Sequence, residues 1–398
     1  NLIRYLSLRG HKIVLLSIVS PQKEGIERNV QALKKWCDPR IVYHPTETNL
    51  WGLFVNLFFS IPYTISKYRS HKVKDALREI LSKEKFDIIH IESLHLASYG
   101  EFIKHEFGLP VVLREQNVQA TLMERYYQRQ SNPLIKLYAY LQWRKTWRYE
   151  VKVCEIFDRC LMITREDKER IERMNPKVKT CIIPAGVDTS YFHPLKIKEE
   201  PGSLIFVGDL KWLPNVDGIM WFYNRIWPRI KKVFPQVKSY VVGRRPPKKI
   251  RKLSEKDQGI IVTGFVKDVR PYVAKCSVYI VPLRIGGGMR LKILEAMAME
   301  RPVVATSVGA EGIMATHGEN IIIADSEADF AEWVIELLKD ANLRRRLAHG
   351  GKRLVEQEYR WESIVEKLEK EYIEVLDERS NRCKSSLLLA DQHKGNFG

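Results

Sequence analysis

Short runs of β-branched and apolar residues alternate with amphipathic stretches along most of the chain. This alternation is typical of parallel α/β architecture, in which strands buried on both faces are joined by helices. In the first half the apolar runs predict six strands: Lys12–Ser20, Ile41–His44, Ile88–Glu92, Pro110–Leu113, Cys160–Thr164 and Cys181–Pro184. In the second half they predict six more: Leu204–Val207, Ser239–Val242, Ile260–Thr263, Val278–Val281, Val303–Thr306 and Asn320–Ile323.

A segment rich in proline and glycine, Gly186–Gly202, separates the two sets of strands and is predicted to be an interdomain linker. We therefore predict two Rossmann-like domains, residues 1–185 and 186–361, that face each other across a cleft. Residues 362–377 are predicted to form a helix that returns to the first domain. Residues 378–398 are predicted to be a disordered tail.

The first predicted element is unusual for a doubly wound domain, which normally begins with a strand and a glycine-rich turn. Here Leu2–Leu8 predicts a helix, and strand Lys12–Ser20 follows it. We therefore expect the N-terminal domain to lack its first strand in the sequence as given.

The composition and charge of the chain limit which binding partners are expected. The chain has 398 residues and a net charge of +18, but its basic residues are not gathered into one run and no usual nucleic-acid-binding motif is present, so we exclude nucleic acid. Phosphorylated substrates and an anionic membrane surface stay open as partners, as does a merely basic, solvated surface. No uncharged apolar stretch is long enough to span a membrane. The six cysteines lack metal-ligand spacing, which favours reduced structural thiols in the cytoplasm and no metal site.

The most informative stretch follows strand Val278–Val281. Gly286, Gly287 and Gly288 form a turn, and a helix is predicted over Met289–Met299. Glycines allow close backbone approach, and a helix N-terminus presents free N–H groups, so together they suit an anion such as a diphosphate. Arg290 and Lys292 add positive charge in the first turn, where cations are otherwise disfavoured.

Glu295 lies on an apolar stripe of this helix with Leu291, Leu294 and Ala298. A carboxylate there is costly unless it has partners. Two adjacent ribose hydroxyls would provide them, and so would a salt bridge to a nearby arginine or lysine.

The stretch Tyr279–Thr306 resembles the donor site of retaining glycosyltransferases of family 4, which have the GT-B fold. The segments Val111–Ala120, Leu204–Phe222, Tyr240–Pro247 and Val262–Leu283 agree with this resemblance, which covers nearly the whole chain before the tail. The most similar subgroup is often found with exopolysaccharide gene sets.

The resemblance implies a retaining transfer from a nucleotide sugar, which is a substrate and not a cofactor, without a bound metal. It assigns the donor to three groups of residues. These are the diphosphate contacts Gly208, Gly286, Gly287, Gly288, Met289, Arg290 and Lys292; the ribose contact Glu295; and the base contacts Gly264, Phe265 and Val266. Arg244 is a candidate for phosphate or base contact.

Three positions depart from the family pattern. Gly287 stands where many members have a glutamate that contacts the transferred sugar, and Asp209 stands where many have a phosphate-binding arginine. Lys211 either replaces that arginine or is a solvated loop lysine. Glu300 replaces a common glycine. Nearby, Asn215 and Asp217 are expected to cap the next helix.

Candidate acceptor-side catalytic residues follow strands of the first half. They are Glu92, His95 and Asn117, because strand ends face the expected cleft. His90 and Glu92 should project to the same side of their strand. Structural roles are the alternative interpretation, with Arg114 and Glu115 paired to each other.

Aromatic residues are concentrated in Trp51–Tyr63 and in the basic helix Leu134–Cys154. Such stretches suit an anionic membrane surface at the inner face of the membrane, or a lipid-linked acceptor. Ordinary core packing by the aromatic residues is the alternative.

The function predicted is transfer of a sugar from a nucleotide diphosphate sugar to a glycan or lipid-linked acceptor in polysaccharide synthesis. Two alternatives stay open: a GT-B sugar-nucleotide epimerase, and a catalytically silent subunit that binds the sugar nucleotide.

Overall fold

The computed structural model of the protein describes the backbone of residues 1–394 and the side chains of residues 1–381. The chain divides into two compact units. The N-terminal unit comprises Asn1–Ile183 and the residues from Val365 onward, and the C-terminal unit comprises Pro184–Ile364. The predicted α/β class with two Rossmann-like domains, the GT-B fold, is confirmed.

The N-terminal unit contains six strands and nine helices before residue 184. The strands are β1 Val14–Val19, β2 Asp38–Tyr43, β3 Ile89–Glu92, β4 Val111–Glu115, β5 Arg159–Met162 and β6 Thr180–Ile182. The helices are α1 Leu2–Leu8, α2 Ile26–Leu33, α3 Leu50–Asn56, α4 Tyr63–Ser66, α5 His71–Lys83, α6 Ala97–Phe107, α7 Gln119–Gln128, α8 Pro133–Cys154 and α9 Arg165–Met174, with a 3₁₀ turn at Leu94–Leu96.

All strand pairs of this unit are parallel, and they form two sheets. One contains β1 and β2, and the other has the order β3-β4-β5-β6. Strand β4 is buried along its whole length, as expected for a central strand covered on both faces.

The C-terminal unit contains six strands and eight helices before the final helix. The strands are β7 Glu200–Val207, β8 Lys238–Val242, β9 Ile260–Gly264, β10 Cys276–Val281, β11 Val303–Ala305 and β12 Ile322–Ile323. The helices are α10 Leu213–Trp221, α11 Trp227–Val233, α12 Lys248–Lys256, α13 Arg270–Lys275, α14 Leu291–Ala298, α15 Ser307–Ala310, α16 Glu327–Lys339 and α17 Ala341–Leu354, with π-helical turns at Phe222–Ile226 and Val355–Tyr359.

The sheet of the C-terminal unit has the order β12-β11-β10-β7-β8-β9, and every pair is parallel. This is the doubly wound order. Strands β8 and β9 lie on one side of β7, and β10, β11 and β12 lie on its other side, so the strand order reverses between β7 and β10. Ligands of such sheets bind outside the carboxyl ends of the strands at the reversal point. Val207 and Val281 end these two strands, so the segments after them are where a site is expected.

The final helix, α18 Trp361–Lys394, begins in the C-terminal unit, and its residues from Val365 onward belong to the N-terminal unit. It continues well past residue 377, where the sequence predicted a tail to begin. Glu378 of the helix accepts hydrogen bonds from Arg159 at 2.9 Å and Lys179 at 2.6 Å, which explains why the helix does not stop there. The part of the predicted tail from 395 to 398 lies outside the described residues.

No helix in the described part of the chain has the length and apolar character needed to cross a bilayer.

Candidate functional site

Two backbone segments approach closely where β7 and β8 end. The N–H of Gly208, directly after β7, donates to the carbonyl of Val242 at 3.0 Å. A β-carbon on Gly243 would collide with the carbonyl oxygen of Gly208, so this contact requires glycine at position 243. The close approach fixes the backbone at the reversal point of the sheet.

The glycine-rich turn after β10 is organised around Arg290. Gly286 and Gly288 have φ angles of +135° and +77°, which favour glycine. The guanidinium of Arg290 donates to the carbonyl of Gly287 and occupies the space that a β-carbon at Gly286 would need. Arg290 is buried, and its guanidinium carbon lies 5.4 Å from the ring centre of Trp212.

The helix after this turn begins later than predicted. Helix α14 starts at Leu291, and Arg290, with φ −92° and ψ 87°, is the non-helical residue before it. The predicted start at Met289 is therefore wrong, because the left-handed Gly288 and the extended Arg290 hold the preceding residues out of the helix. Met289 packs against the core of the unit, and Arg290 lies at the N-terminus of the helix instead of within its first turn.

The side chain of Lys292 is half-buried and is held by a polar and an aromatic neighbour. Its ammonium donates to the amide oxygen of Asn215 at 3.1 Å and lies 4.4 Å from the ring centre of Phe206. Burial, and then the positive charge of Arg290, lower the pKa of Lys292 to about 7. A negative charge bound beside this lysine would reverse the second effect and favour its charged form.

Asn215 has a different role from the predicted one. The residue that precedes helix α10 is Trp212, so neither Asn215 nor Asp217 caps the helix. Asn215 is buried, and its amide donates to the carbonyl of Asp209 at 2.9 Å while its oxygen accepts from Lys292. Asp217 accepts two hydrogen bonds from Arg284, at 2.6 and 3.0 Å. The predicted capping roles are therefore wrong.

Glu295 lies one turn along α14 from Lys292. Burial raises the pKa of Glu295, and the charge of Lys292 partly offsets this effect. Of the stripe predicted with it, Leu294 and Ala298 are buried, while Leu291 is partly exposed. The structure thus brings Arg290, Lys292 and Glu295 together with Gly208, directly outside strands β7 and β10.

Arg244 and Lys211, both predicted to contact the nucleotide sugar, lie beside Asp209. Arg244 donates to this carboxylate at 3.1 Å, and the neighbouring Arg245 also donates to it, at 2.5 Å. Lys211 is exposed, and its backbone N–H donates to the same carboxylate at 3.0 Å. Asp209 thus partly neutralises Arg244, which must leave it in order to bind a phosphate.

The predicted base-binding residues follow strand β9. Gly264 has a φ of +71° and accepts a hydrogen bond from the N–H of Gly243 at 3.1 Å. Phe265 is 73% exposed, whereas Val266 packs against the core of the unit. A large apolar ring in solvent next to this strand end is available for stacking.

The backbone conformation at position 300 explains why glycine is common there in the family. Glu300 follows α14 with a φ of +53°, a left-handed conformation that glycine adopts without steric cost. Its carboxylate pairs with Lys352 at 2.7 Å.

In the N-terminal unit, Glu92 is the centre of a polar cluster. Its carboxylate accepts hydrogen bonds from His90 at 3.1 Å, Arg114 at 3.0 Å and Gln116 at 3.2 Å. Burial acts to raise its pKa, but the hydrogen bond from His90 and the charge of Arg114 prevail and lower the pKa of Glu92 to about 2. His90 and Glu92 project to the same side of β3, as predicted. Glu92 is therefore a fixed carboxylate that accepts protons poorly.

The other two acceptor-side candidates lie in loops. His95 follows Ser93, whose φ is +89°, and its ring accepts or donates a hydrogen bond with the Ser93 hydroxyl at 2.7 Å. Burial, and then the charge of Lys67, lower the pKa of His95. Asn117 is half-buried in the bend between β4 and α7.

The predicted alternative pairing of Arg114 with Glu115 is wrong, because adjacent residues of β4 point to opposite faces. Arg114 pairs with Glu92, its register partner on β3. Glu115 is buried on the other face, where its carboxyl accepts from the thiol of Cys154 at 3.2 Å. It lies against Glu150 of α8, whose two oxygens accept the N–H groups of Gln119 and Ala120 at 2.7 and 2.8 Å.

These contacts change the pKa values of Glu115 and Glu150. Burial raises the pKa of Glu115 well above its ordinary value, and Cys154 and Glu150 add to the effect. Burial also raises the pKa of Glu150, to about 7, although Glu115 and the two N–H groups oppose the rise. The two carboxyls therefore keep their protons to higher pH than exposed carboxyls do, and Glu150 holds the first turn of α7, which follows Asn117.

Two protein families each match one part of the chain. The family described as "Glycosyltransferase Family 4" matches residues 1–191, and the family described as "Glycosyl transferases group 1" matches residues 201–340. Each match falls almost wholly within one unit, and the second covers the turn after β10 and helix α14.

Curated relatives and solved structures agree with these matches. An "Uncharacterized 44.6 kDa protein in cps region" of Klebsiella pneumoniae is 23% identical over 92% of this chain and 92% of its own length. An uncharacterized glycosyltransferase of Methanocaldococcus jannaschii is also 23% identical, over 92% of this chain and 99% of its own.

Among solved structures, sucrose-phosphate synthase of Thermosynechococcus elongatus is similar with a TM-score of 0.64 and 16% identity, over 92% of this chain and 99% of that chain. Anabaena HepE in complex with UDP and glucose is similar with a TM-score of 0.62 and 14% identity, over 93% and 94%. At such identities these structures support the GT-B fold alone. The sequence relatives and the two family matches support glycosyltransferase activity of the family 4 type.

Proposed function

We propose that this chain, with its GT-B fold and its two glycosyltransferase family matches, is a retaining enzyme that uses a nucleotide diphosphate sugar and needs no metal ion. The observation that carries the proposal is the cluster at the reversal point of the C-terminal sheet. There the turn Gly286–Gly288, the N-terminus of α14, Arg290 and Lys292 lie together beside Gly208.

The cluster has the chemistry of a diphosphate site. Arg290 is buried and the half-buried Lys292 lies beside it, and withdrawing two neighbouring cations from water is costly unless an anion balances them. In sugar transfer, negative charge develops on the leaving diphosphate. Cations and helix N–H groups that are already in position stabilise this charge in the transition state.

Glu295 is proposed to accept hydrogen bonds from the ribose hydroxyls, and Phe265 to contact the base. The acceptor is proposed to be a glycan or a lipid-linked glycan of polysaccharide synthesis, at the cytoplasmic face of the membrane. The gene region named for the Klebsiella pneumoniae relative is consistent with this pathway. Glu92, with its lowered pKa, would orient an acceptor hydroxyl as a carboxylate, and His95 after β3 and Asn117 after β4 are proposed to assist it.

The test is a thermal-shift panel of UDP, GDP, ADP and their sugars, followed by transfer to a membrane extract with the stabilising donor. A bound ligand raises the melting temperature by mass action. We expect one base to stabilise the chain and radiolabelled sugar to enter the extract.

Two results would replace the proposal with another function. Release of free sugar from the donor without any acceptor would indicate an epimerase. Nucleotide binding with neither transfer nor release would indicate a silent subunit, which the glycine at position 287 makes a specific alternative. Absence of any nucleotide binding would contradict the donor site itself.

A further inference from the structure

The N-terminal unit carries an exposed ridge of large apolar side chains at α3 and the turn after it. Leu50 is 85%, Trp51 74% and Phe58 79% exposed. Phe54 links the two rings, with centroid distances of 5.9 Å to Trp51 and 5.8 Å to Phe58. Isolated exposed apolar residues are common on proteins, but a contiguous group of this size marks an interaction surface.

The ridge is fixed in place by polar contacts to helix α8. The amide of Gln142 donates to the side chain of Asn56 at 2.9 Å. The ammonium of Lys145 donates to the carbonyls of Asn56 and Leu57, at 2.7 and 3.1 Å, and so closes the C-terminal end of α3. The exposed rings are therefore held outward by buried contacts, and a loose loop does not explain them.

Helix α8 extends the same surface. At 100° per residue, five residues of α8 project within about 80° of Lys145 and to one side of it. These residues are Leu134, Leu137, Leu141, Arg148 and Lys152, and all five are exposed. On the other side of α8, Trp143 stacks on Tyr127 of α7 and also contacts the ring of Tyr140. We call the ridge of α3 and these residues of α8 the aromatic–basic face.

The charge around this face has one sign. Residues 48–74 and 125–149 contain ten lysines and arginines and no aspartate or glutamate. Arg144 and Arg148 are exposed beside the leucines of α8. A second copy of the chain would therefore bring positive charge against positive charge, which disfavours a symmetric dimer through this face.

We propose that the aromatic–basic face binds the surface of an anionic phospholipid bilayer. Tryptophan and phenylalanine rings partition into the boundary between headgroups and acyl chains, and lysines and arginines interact with the lipid phosphates. Exposed leucines beside them favour a lipid over a nucleic acid, which offers no apolar phase. This inference goes beyond the proposed sugar transfer and does not require it.

The test is flotation of the purified chain with vesicles, without nucleotide or acceptor. We expect binding to vesicles that contain phosphatidylglycerol and phosphatidylcholine, and little binding to vesicles of phosphatidylcholine alone. The double variant Arg144→Glu and Arg148→Glu should bind the anionic vesicles at least about tenfold more weakly, because each basic residue near the surface contributes about fivefold. Trp51→Ala with Phe58→Ala should weaken binding at least as much.

A matched control separates this face from the net charge of +18. Arg251→Glu with Lys252→Glu makes the same change of charge on α12 of the C-terminal unit, where both side chains are exposed. This control should bind like the unaltered chain. Arg144→Lys with Arg148→Lys keeps the positive charge and should also bind normally, as expected if charge at these two positions is what the lipid phosphates contact.

Three outcomes would overturn the proposal. The unaltered chain could fail to float with anionic vesicles, or the α12 control could lose as much binding as the α8 variant. Sedimentation velocity could also detect a dimer that Trp51→Ala with Phe58→Ala abolishes, which would assign the face to a second copy. Because none of these measurements uses a sugar donor, they do not depend on the outcome for the proposed function.

Discussion

The ammonium of Lys292 lies 2.8 Å from the point that a β-carbon at position 208 would occupy, so Gly208 keeps open the space that the lysine fills. The amide of Asn215 lies at 2.7 Å from the same point. Both neighbours are the ends of side chains, which can move aside. Gly243 differs, because its β-carbon would meet the backbone oxygen of Gly208.

Gly208→Ala should therefore change mainly nucleotide binding, and Gly243→Ala should change mainly stability. Gly208→Ala displaces Lys292 and should lower nucleotide affinity by at least about tenfold while the melting temperature changes little. Gly243→Ala forces backbone apart and should destabilise the chain by roughly 1–3 kcal/mol. Calorimetry with the nucleotide and thermal unfolding separate the two. Equal loss of stability in both variants would contradict the assignment of Gly208 to the site.

Removing either cation of the site should weaken nucleotide binding. Arg290→Ala or Lys292→Ala each deletes a charge-assisted contact to phosphate, worth roughly 1.5–3 kcal/mol, so affinity should fall by about ten- to a hundredfold. Lys238→Ala is the control, since Lys238 begins β8 at the other end of the strand and pairs with Glu200. Normal binding by both site variants would remove the diphosphate site from consideration.

Binding of the diphosphate should also depend on pH through Lys292, whose pKa is lowered to about 7. In the free chain this lysine loses its proton as pH rises above 7, and a bound phosphate raises its pKa again, so binding takes up a proton. Affinity should therefore fall between pH 7 and 9, where the phosphate itself is already ionised. Calorimetry in two buffers with different ionisation enthalpies measures the proton uptake. In Lys292→Met the uptake should disappear, and its persistence there would assign the proton to another group.

Glu295 is tested by the sugar of the nucleotide. Glu295→Gln should weaken binding of the ribonucleotide more than that of its 2′-deoxy analogue, because a carboxylate accepts hydrogen bonds from two adjacent hydroxyls better than an amide does. The two dissociation constants for each protein form a double-mutant cycle. An equal loss for both nucleotides would leave Glu295 with a structural role only.

Much of the fold follows from local patterns in the sequence. The strands around the site are nearly continuous apolar runs, so their order along the chain is predicted, and the long helix α8 is predicted to within a few residues. The predicted start of α14 was two residues early, since the φ angle of Gly288 depends on how the turn packs around Arg290.

The contacts that the sequence does not reveal are those between residues distant along the chain. Asn215 lies near the start of an apolar helix and so resembles a cap in the sequence, but its oxygen accepts from Lys292, 77 positions away. Arg114 is adjacent to Glu115, yet it pairs with Glu92 because the register of β3 and β4 brings those two side by side. Such pairs need the topology of the sheet before they can be predicted.

The last prediction concerns the buried pair Glu115 and Glu150. Their pKa values are raised in the folded chain, that of Glu150 to about 7. Below about pH 4.5 both carboxyls carry protons whether the chain is folded or unfolded. Above it the unfolded chain releases protons that the folded chain retains. The stability of the N-terminal unit should therefore fall as pH rises toward and through 7, by up to roughly 1.4 kcal/mol per pH unit for each group.

Glu115→Gln should reduce this slope, because an amide donates a hydrogen bond to Glu150 at every pH without binding a proton. Urea unfolding at pH 5 and pH 8 measures the effect, with the exposed Glu255→Gln as control. We expect Glu115→Gln to match the unaltered chain at pH 5 and to exceed its stability at pH 8, and an equal change at both pH values would mean that the pKa of Glu115 is not raised by folding.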